Sequence, residues 1–313
     1  MEEEVVSKGT AVVACTAMTL SYVAILYAPT LILRLPPPPS FNIFMIRRFV
    51  CAAISSIVSL LICALILPIR RKEASVLLGV YGIQVDHIVS WQAVVFPVFL
   101  TSLMYAGSLV LKSLVLVESW RDNVHHNEGV SVECIKIIVQ KLIASIVSVT
   151  SNVLAWRNFV VAPLTEELVF RACMIPLLLC GGFKPYTVIY LCPIFFSLAH
   201  LNHLMEFYSK QNYSWAKTSM VVGLQLGYTV IFGSYASFLF IRTGHLIAPL
   251  VAHMFCNFMG LPVLFSRRNG MVSIAFVAGM VGFLSLLFPM TRPDLYNYRS
   301  NNCQCWHGYC SWS

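Results

Sequence analysis

Charge is scarce in this chain, and acid above all. Of 313 residues, 11% are charged and only 13 are Asp or Glu, whereas soluble domains carry roughly a quarter charged residues. That shortage, with 58% hydrophobic residues and a mean hydropathy of +0.77, excludes an ordinary soluble domain and describes a polytopic membrane protein. Aspartate is rarer still. Asp86, Asp122 and Asp294 are its only instances, none deep in an apolar segment, which argues against a two-aspartate intramembrane protease. His-Glu-x-x-His does not occur, so a zincin-type metalloprotease loses its signature. Cys-x-x-Cys is also missing: the 11 cysteines are spread singly, behaving as small hydrophobes rather than as a zinc knuckle or redox pair.

The formal net charge is +8. In a soluble protein that would suggest nucleic acid. Here the cations flank apolar runs, as in Arg47-Arg48 and Arg70-Arg71-Lys72, so they are expected to meet anionic lipid, with no nucleic-acid partner. The basic clusters sit at opposite ends of one span and do not choose an orientation. The acidic start, Met1-Glu2-Glu3-Glu4, has the wrong sign for a cleaved signal peptide, so the first membrane helix is expected to be retained.

Roughly 20 residues cross a bilayer as helix. On that measure, spans are expected near 11–35, 49–69, 92–117, 163–180, 185–203, 217–241, 245–265 and 271–290. Pro36 to Pro39 form a stiff break. Residues 73–92 read as a loop or surface helix, residues 119–132 as the most polar loop, and 134–154 as either a span or an interfacial helix. Seven or eight membrane helices result. Residues 1–10 form an acidic stub, 11–154 the N-terminal membrane helices and loops, 155–290 a catalytic membrane core, and 291–313 a Cys-containing tail. Residues 11–290 are expected to form one integral domain. Gly223 and Gly227 make a small-xxx-small spacing, with Ser234 two turns on, of the kind that lets helices approach closely.

Between Trp156 and Met290 the only acids are Glu166, Glu167 and Glu206. A carboxylate at mid-bilayer costs roughly 2.5 kcal/mol or more, so a retained one is a functional candidate. Pro163 or Thr165 is expected to start the helix that carries the pair. On it, Glu167 and Arg171 stand four apart with the acid first, the favourable order for an intrahelical ion pair. Glu166 is turned about 100° away and need not share that arginine. Further on, helical spacing puts Phe196, His200 and His203 on one face, and His253 and Asn257 on another. A carboxylate, imidazoles and an amide in one membrane cavity are the equipment for activating a water and stabilising an oxyanion. From the residues alone, other readings stay open. Cys173 or Cys256 could act as a thiol nucleophile, His200, His203 and Glu206 could hold a metal, or a scaffold or transporter could use the same polar cavity.

Taken in order, Glu166-Glu167-Leu-Val-Phe-Arg171, Phe196-x-x-x-His200 and His253-x-x-x-Asn257 resemble the three-motif signature of the type 2 CAAX prenyl proteases. These are the Ras-converting enzyme family of glutamate intramembrane proteases. The resemblance extends over nearly the whole chain. It implies an all-α bundle of about eight transmembrane helices around a polar catalytic cavity, open to the cytosol and laterally to lipid. It further implies an endoplasmic-reticulum endopeptidase that removes the aaX tripeptide from farnesylated or geranylgeranylated CaaX proteins such as small GTPases, with no cofactor and no metal. Carried over by position, Glu166 and His200 activate the water, and His253 and Asn257 hold the oxyanion. Glu167, Arg171, Phe196 and His203 support them, with binding of the substrate carboxylate an alternative role for Arg171. The tail Cys310-Ser311-Trp312-Ser313 has no aliphatic pair after its cysteine and is not read as a lipidation site.

Overall fold

The computed structural model describes residues 6–69, 74–83, 91–126, 140, 150–201, 215–264, 266 and 270–296. Among them there is helix and no strand. The chain is an all-α polytopic membrane protein, as its composition requires. In lipid the backbone must satisfy its own hydrogen bonds, and helices do so within one segment.

Helix α1 starts at Lys8, with the Ser7 side chain accepting from the Thr10 amide, and runs with a tightened turn at Ile25–Tyr27 to Leu31. After the proline run, Ser40 caps α2, Phe41–Ile66. The short α3, Ala74–Val80, occupies part of the segment expected as loop or surface helix; Asp86 and His87 lie outside the described residues. Helices α4, Trp91–Met104, and α5, Ala106–His126, follow. Then come α6 over residues 153–180, α7, Pro185–Ala199, and α8, Trp215–Thr243. Helices α9, Ile247–Met259, and α10, Gly270–Met290, complete the membrane part.

Four described helices are long and apolar enough to cross a membrane: Lys8–Leu31, Phe41–Ile66, Ser219–Thr243 and Gly270–Met290. The span expected over 92–117 is instead two helices meeting at 79°. Tyr105 sits at the corner, its hydroxyl donating to the Gly260 carbonyl at 2.7 Å and lying 2.6 Å from the Tyr228 hydroxyl. These contacts tie the bend to α8 and to the end of α9. The polar stretch from 119 was expected as loop, but helix α5 continues through it to His126. Most of 134–154 and the cysteines of the tail lie outside the described residues.

Helix α6 is the axis of the bundle. From Val169 to Cys180 every residue is buried, the pattern of a helix enclosed on all sides. Its neighbours set its surroundings. Helix α2 runs parallel to it: the Ser56 hydroxyl meets the Thr165 carbonyl at 3.4 Å and the Cys63 thiol meets the Cys173 carbonyl at 3.4 Å. Helix α1 runs antiparallel, with Tyr22 beside Thr165 and Cys15 beside the Met174 carbonyl. Small buried residues on α2 (Ala52, Ser55, Ser56 and Ser59) permit that approach. The outer faces carry exposed apolar side chains such as Leu65 and Ile274, as a lipid-facing surface should.

Among the described residues the Gly223–Gly227 spacing mediates no close packing. A Cβ at either position would meet nothing within 4 Å. The close approaches fall elsewhere, at Gly233 against Pro193 and Arg171 and at Gly279 against the Leu103 carbonyl. Ser234 bonds back to the Val230 carbonyl at 2.9 Å.

Candidate active site

The acidic pair is set by how α6 is built. Asn152 caps its start, its side chain accepting from the Leu154 amide at 2.8 Å. Neither Pro163 nor Thr165 begins the helix, contrary to the expectation from their types. A π turn at Arg157–Val161 precedes Ala162–Glu167, so the chain is already helical when it reaches Pro163. Neighbouring polar groups and local π adjustments are what make such a proline tolerable in a membrane helix. Thr165 does not cap either. Its hydroxyl donates to the Val161 carbonyl at 2.8 Å and meets the Tyr22 hydroxyl at 3.0 Å. A second π turn, Leu168–Cys173, follows the acidic pair. Single π turns inside α-helices are frequent at functional sites.

Glu167 and Arg171 form the expected ion pair across that turn. Arg171 Nη1 donates to Glu167 Oε1 at 3.0 Å, with both side chains 0% exposed. The same carboxylate oxygen accepts from His253 Nδ1 at 2.8 Å. Since the carboxylate can only accept there, Nδ1 carries the hydrogen. Nε2 of His253 then points at Glu166, whose Oε2 is 3.7 Å away. Arg171, Glu167, His253 and Glu166 thus form one chain of charges.

Phe196 holds this chain from one side. The Arg171 guanidinium lies 4.6 Å over its ring. The His200 ring meets it edge-on at 4.6 Å, and the His253 ring at 6.2 Å. Phe232 closes on His253 at 5.0 Å. His200 stands at the end of α7, its Nδ1 3.0 Å from the Phe196 carbonyl. That contact makes Nδ1 the donor and leaves the lone pair on Nε2. Gly233 lets α8 pass close to the arginine: Arg171 Nη2 reaches the Gly233 carbonyl at 3.5 Å, and a Cβ there would lie 3.1 Å from Nη2.

Asn257 lies one turn beyond His253 on α9. Its amide donates to the Asn158 carbonyl at 2.7 Å, an exposed contact joining α9 to the start of α6. His203 and Glu206 lie outside the described residues, so the His200–His203–Glu206 grouping is not described as a whole. Cys173 and Cys256 are both buried, 0% and 4% exposed. The sequence did not single out Asn158, Phe232 or Tyr22. Phe232 carried no distinctive spacing, whereas Asn158 is a polar residue entering a membrane helix and could have been noticed.

Arg171 is not placed to receive a substrate carboxylate. It is enclosed under Phe196 and committed to Glu167.

The family model described as Type II CAAX prenyl endopeptidase Rce1-like matches residues 148–259, a stretch that includes Glu166, His200, His253 and Asn257. The chain is 59% identical to CAAX prenyl protease 2 of Arabidopsis thaliana over 310 residues, 99% of this chain and 98% of that protein. With CAAX prenyl protease 2 of Homo sapiens it shares 33% over 293 residues, 91% of this chain and 82% of that one. The Saccharomyces cerevisiae protein of the same name is 31% identical over 116 residues, 36% of this chain and 37% of its own. No solved structure matches the chain.

Proposed function

Since the chain belongs to the Rce1-like family of type II CAAX prenyl endopeptidases, we propose that it cleaves prenylated CaaX proteins by an attack of water on the peptide bond that Glu166 initiates. The chain is a multi-pass membrane endopeptidase of CaaX proteins.

Glu166 is the acid of the pair that is partly exposed, at 16%, while Glu167 is at 0%. It takes a proton from the water as the water's oxygen bonds to the carbonyl carbon of the scissile peptide. His200 Nε2 accepts the water's second hydrogen and so orients it. The carbonyl electron pair moves onto oxygen, and the resulting oxyanion is met by His253 Nε2–H. Glu167 supports this step by fixing Nδ1–H and by stabilising the imidazolium, a positioning role that carboxylates commonly play toward histidine. Asn257 adds a second donor through the remaining hydrogen of its amide. The C–N bond then breaks, and the proton held by Glu166 passes to the leaving amine of the tripeptide. Each charged state arises in a site walled by Phe196, Phe232 and Phe170, where fixed dipoles act more strongly than in water.

The substrates are proteins ending in Cys-a-a-X with farnesyl or geranylgeranyl on the cysteine, among them small GTPases, met in the endoplasmic-reticulum membrane. One prenyl chain gives only marginal anchoring, yet it confines the substrate to the plane in which the site lies. The observation that carries this reading is the chain of contacts from Arg171 through Glu167 and His253 to Glu166. The test is release of the tripeptide from a farnesylated peptide by purified Glu166→Gln protein. Turnover in that variant at a rate near the parent's would overturn the assignment of the base.

A further inference from the structure

A hydrolase that removes three terminal residues works on a substrate with a free carboxylate three residues beyond the scissile bond. A cation is needed to receive it, and Arg171 is enclosed and already paired. Two further cations, Arg47 and Arg48, stand near the start of α2. Helix α1 runs antiparallel to α6 and α2 parallel to it, so the end of α1, the proline run and the start of α2 lie at the same end of the bundle as Asn158 and Asn257. There the chain forms a cleft of about 120 Å³ lined by Tyr27, Thr30, Pro38, Phe44, Arg47 and Arg48 among others.

The cleft is built to hold its arginines in place. Arg47 Nη1 donates to the Pro36 carbonyl at 2.8 Å, which fixes that guanidinium while using one of its five N–H groups. Arg48 lies 5.6 Å over the Phe44 ring. The Thr30 hydroxyl donates to the Tyr27 carbonyl at 2.9 Å, closing the opposite wall. The cleft also adjoins the reacting centre. Tyr22 touches Thr165, the residue before Glu166, with its hydroxyl at 3.0 Å, and stands five residues before Tyr27 of the cleft.

The distances fit. Ser56 is level with Thr165, and Arg48 stands eight residues before it, roughly 12 Å along the helix at 1.5 Å per residue. Three extended residues span at most roughly 10 Å, and the arginine side chain covers the remainder. We propose that the Arg47–Arg48 cleft is the subsite for the substrate's terminal α-carboxylate, with Tyr22 along the path between it and Glu166. This rests on the endopeptidase reading above. The stiff proline run then acts as the back wall of a specificity site, and the enzyme measures three residues from carboxylate to scissile bond.

The same chemistry would suit a phospholipid phosphate, so the test must separate the two sources. The protein is reconstituted in bilayers of zwitterionic lipid alone, or with anionic lipid added. It is assayed with a farnesylated CaaX peptide bearing either a free C-terminal acid or an amide. For the parent, KM for the acid should be at least about tenfold below that for the amide, the effect of one charge-assisted contact. Arg47→Gln and Arg48→Gln should raise KM for the acid towards the amide value in both bilayers, with kcat within about twofold. Arg48→Lys should recover part of the loss. An equal rise for acid and amide, or a rise only with anionic lipid present, would assign the cleft to lipid phosphate and overturn the proposal. So would unchanged KM values. Binding of the two peptides to the Glu166→Gln protein, with and without Arg48→Gln, reads the subsite without turnover. A parent that binds the acid selectively but does not cleave it would count against the endopeptidase reading and leave the subsite standing.

Discussion

Glu167 accepts the Nδ1 hydrogen of His253 at 2.8 Å, from a carboxylate that no solvent reaches. The second glutamate of the pair therefore serves the histidine, and the histidine turns its other nitrogen to the first glutamate. Two adjacent acids reach different atoms of one imidazole because one helix step separates their directions.

Glu167→Gln keeps an oxygen for Arg171 and His253 to reach but removes the negative charge. The imidazolium loses its support and Arg171 its counter-ion. Activity on a prenylated peptide should fall by about 10²-fold or more in kcat with little change in KM. Thermal unfolding in detergent should show a destabilisation of about 3–5 kcal/mol, as for any broken buried pair. A variant that is destabilised but retains full kcat would assign Glu167 to structure alone.

Arg171→Lys separates positioning from binding. The guanidinium spans Glu167, the Gly233 carbonyl and the Phe196 face, and an ammonium cannot reproduce that planar set of contacts. The expected result is a lower kcat and lower stability at an unchanged KM. A rise in KM alone would mean that the substrate reaches this residue.

Glycine substitutions on α8 should divide by position. Gly233→Ala pushes a Cβ to 2.9 Å from Pro193 Cβ and 3.1 Å from Arg171, so it should cost about 1–3 kcal/mol and reduce turnover. Gly223→Ala and Gly227→Ala meet nothing within 4 Å and should be neutral or stabilising by up to about 1 kcal/mol, the helix-propensity difference. Melting temperatures of the three purified variants decide it. A marked loss at Gly223 or Gly227 would reveal a partner for that face.

Cys173→Ala and Cys256→Ala test the thiol alternative. Both cysteines are buried within the bundle, where thiols are usually inert. Both variants should retain turnover within a few-fold of the parent. Loss of all activity in a folded variant would revive a thiol nucleophile. Treatment of the parent with a chelator should leave the rate unchanged, while loss with chelator and recovery on adding metal would point to metal-dependent hydrolysis.

Much of the site was legible because its logic is local. The spacing of Glu167 and Arg171 alone yields the ion pair, and Phe196 with His200 follows from one helical turn. What joins separate helices was harder to read. The link between Glu167 and His253 crosses 86 positions, and no periodicity encodes it. Pro163 and Thr165 misled because proline and threonine commonly mark helix starts, while here a π turn absorbs the proline and the threonine bonds backwards. The bend at Tyr105 was hidden in an unbroken apolar run. A tyrosine hydroxyl bound to a distant carbonyl marks it, a contact no local pattern encodes. The glycine spacing on α8 was conspicuous, yet among the described residues nothing comes within 4 Å of a Cβ there, whereas the serine-rich face of α2 packs closely without announcing itself.

The π turns flanking the acidic pair make the site sensitive to chain length. Each widened turn accommodates residues that a regular α-helix would place further around. Removing one residue from residues 168–170 would let the π turn close into regular α geometry and bring Arg171 from four positions after Glu167 to three, changing the direction from which the guanidinium meets the carboxylate. Arg171 could then no longer meet Glu167, the Phe196 face and the Gly233 carbonyl at once, without any change in side-chain chemistry. Within this stretch, insertions and deletions should be tolerated far less than substitutions of similar size, and sequence length becomes part of the active site.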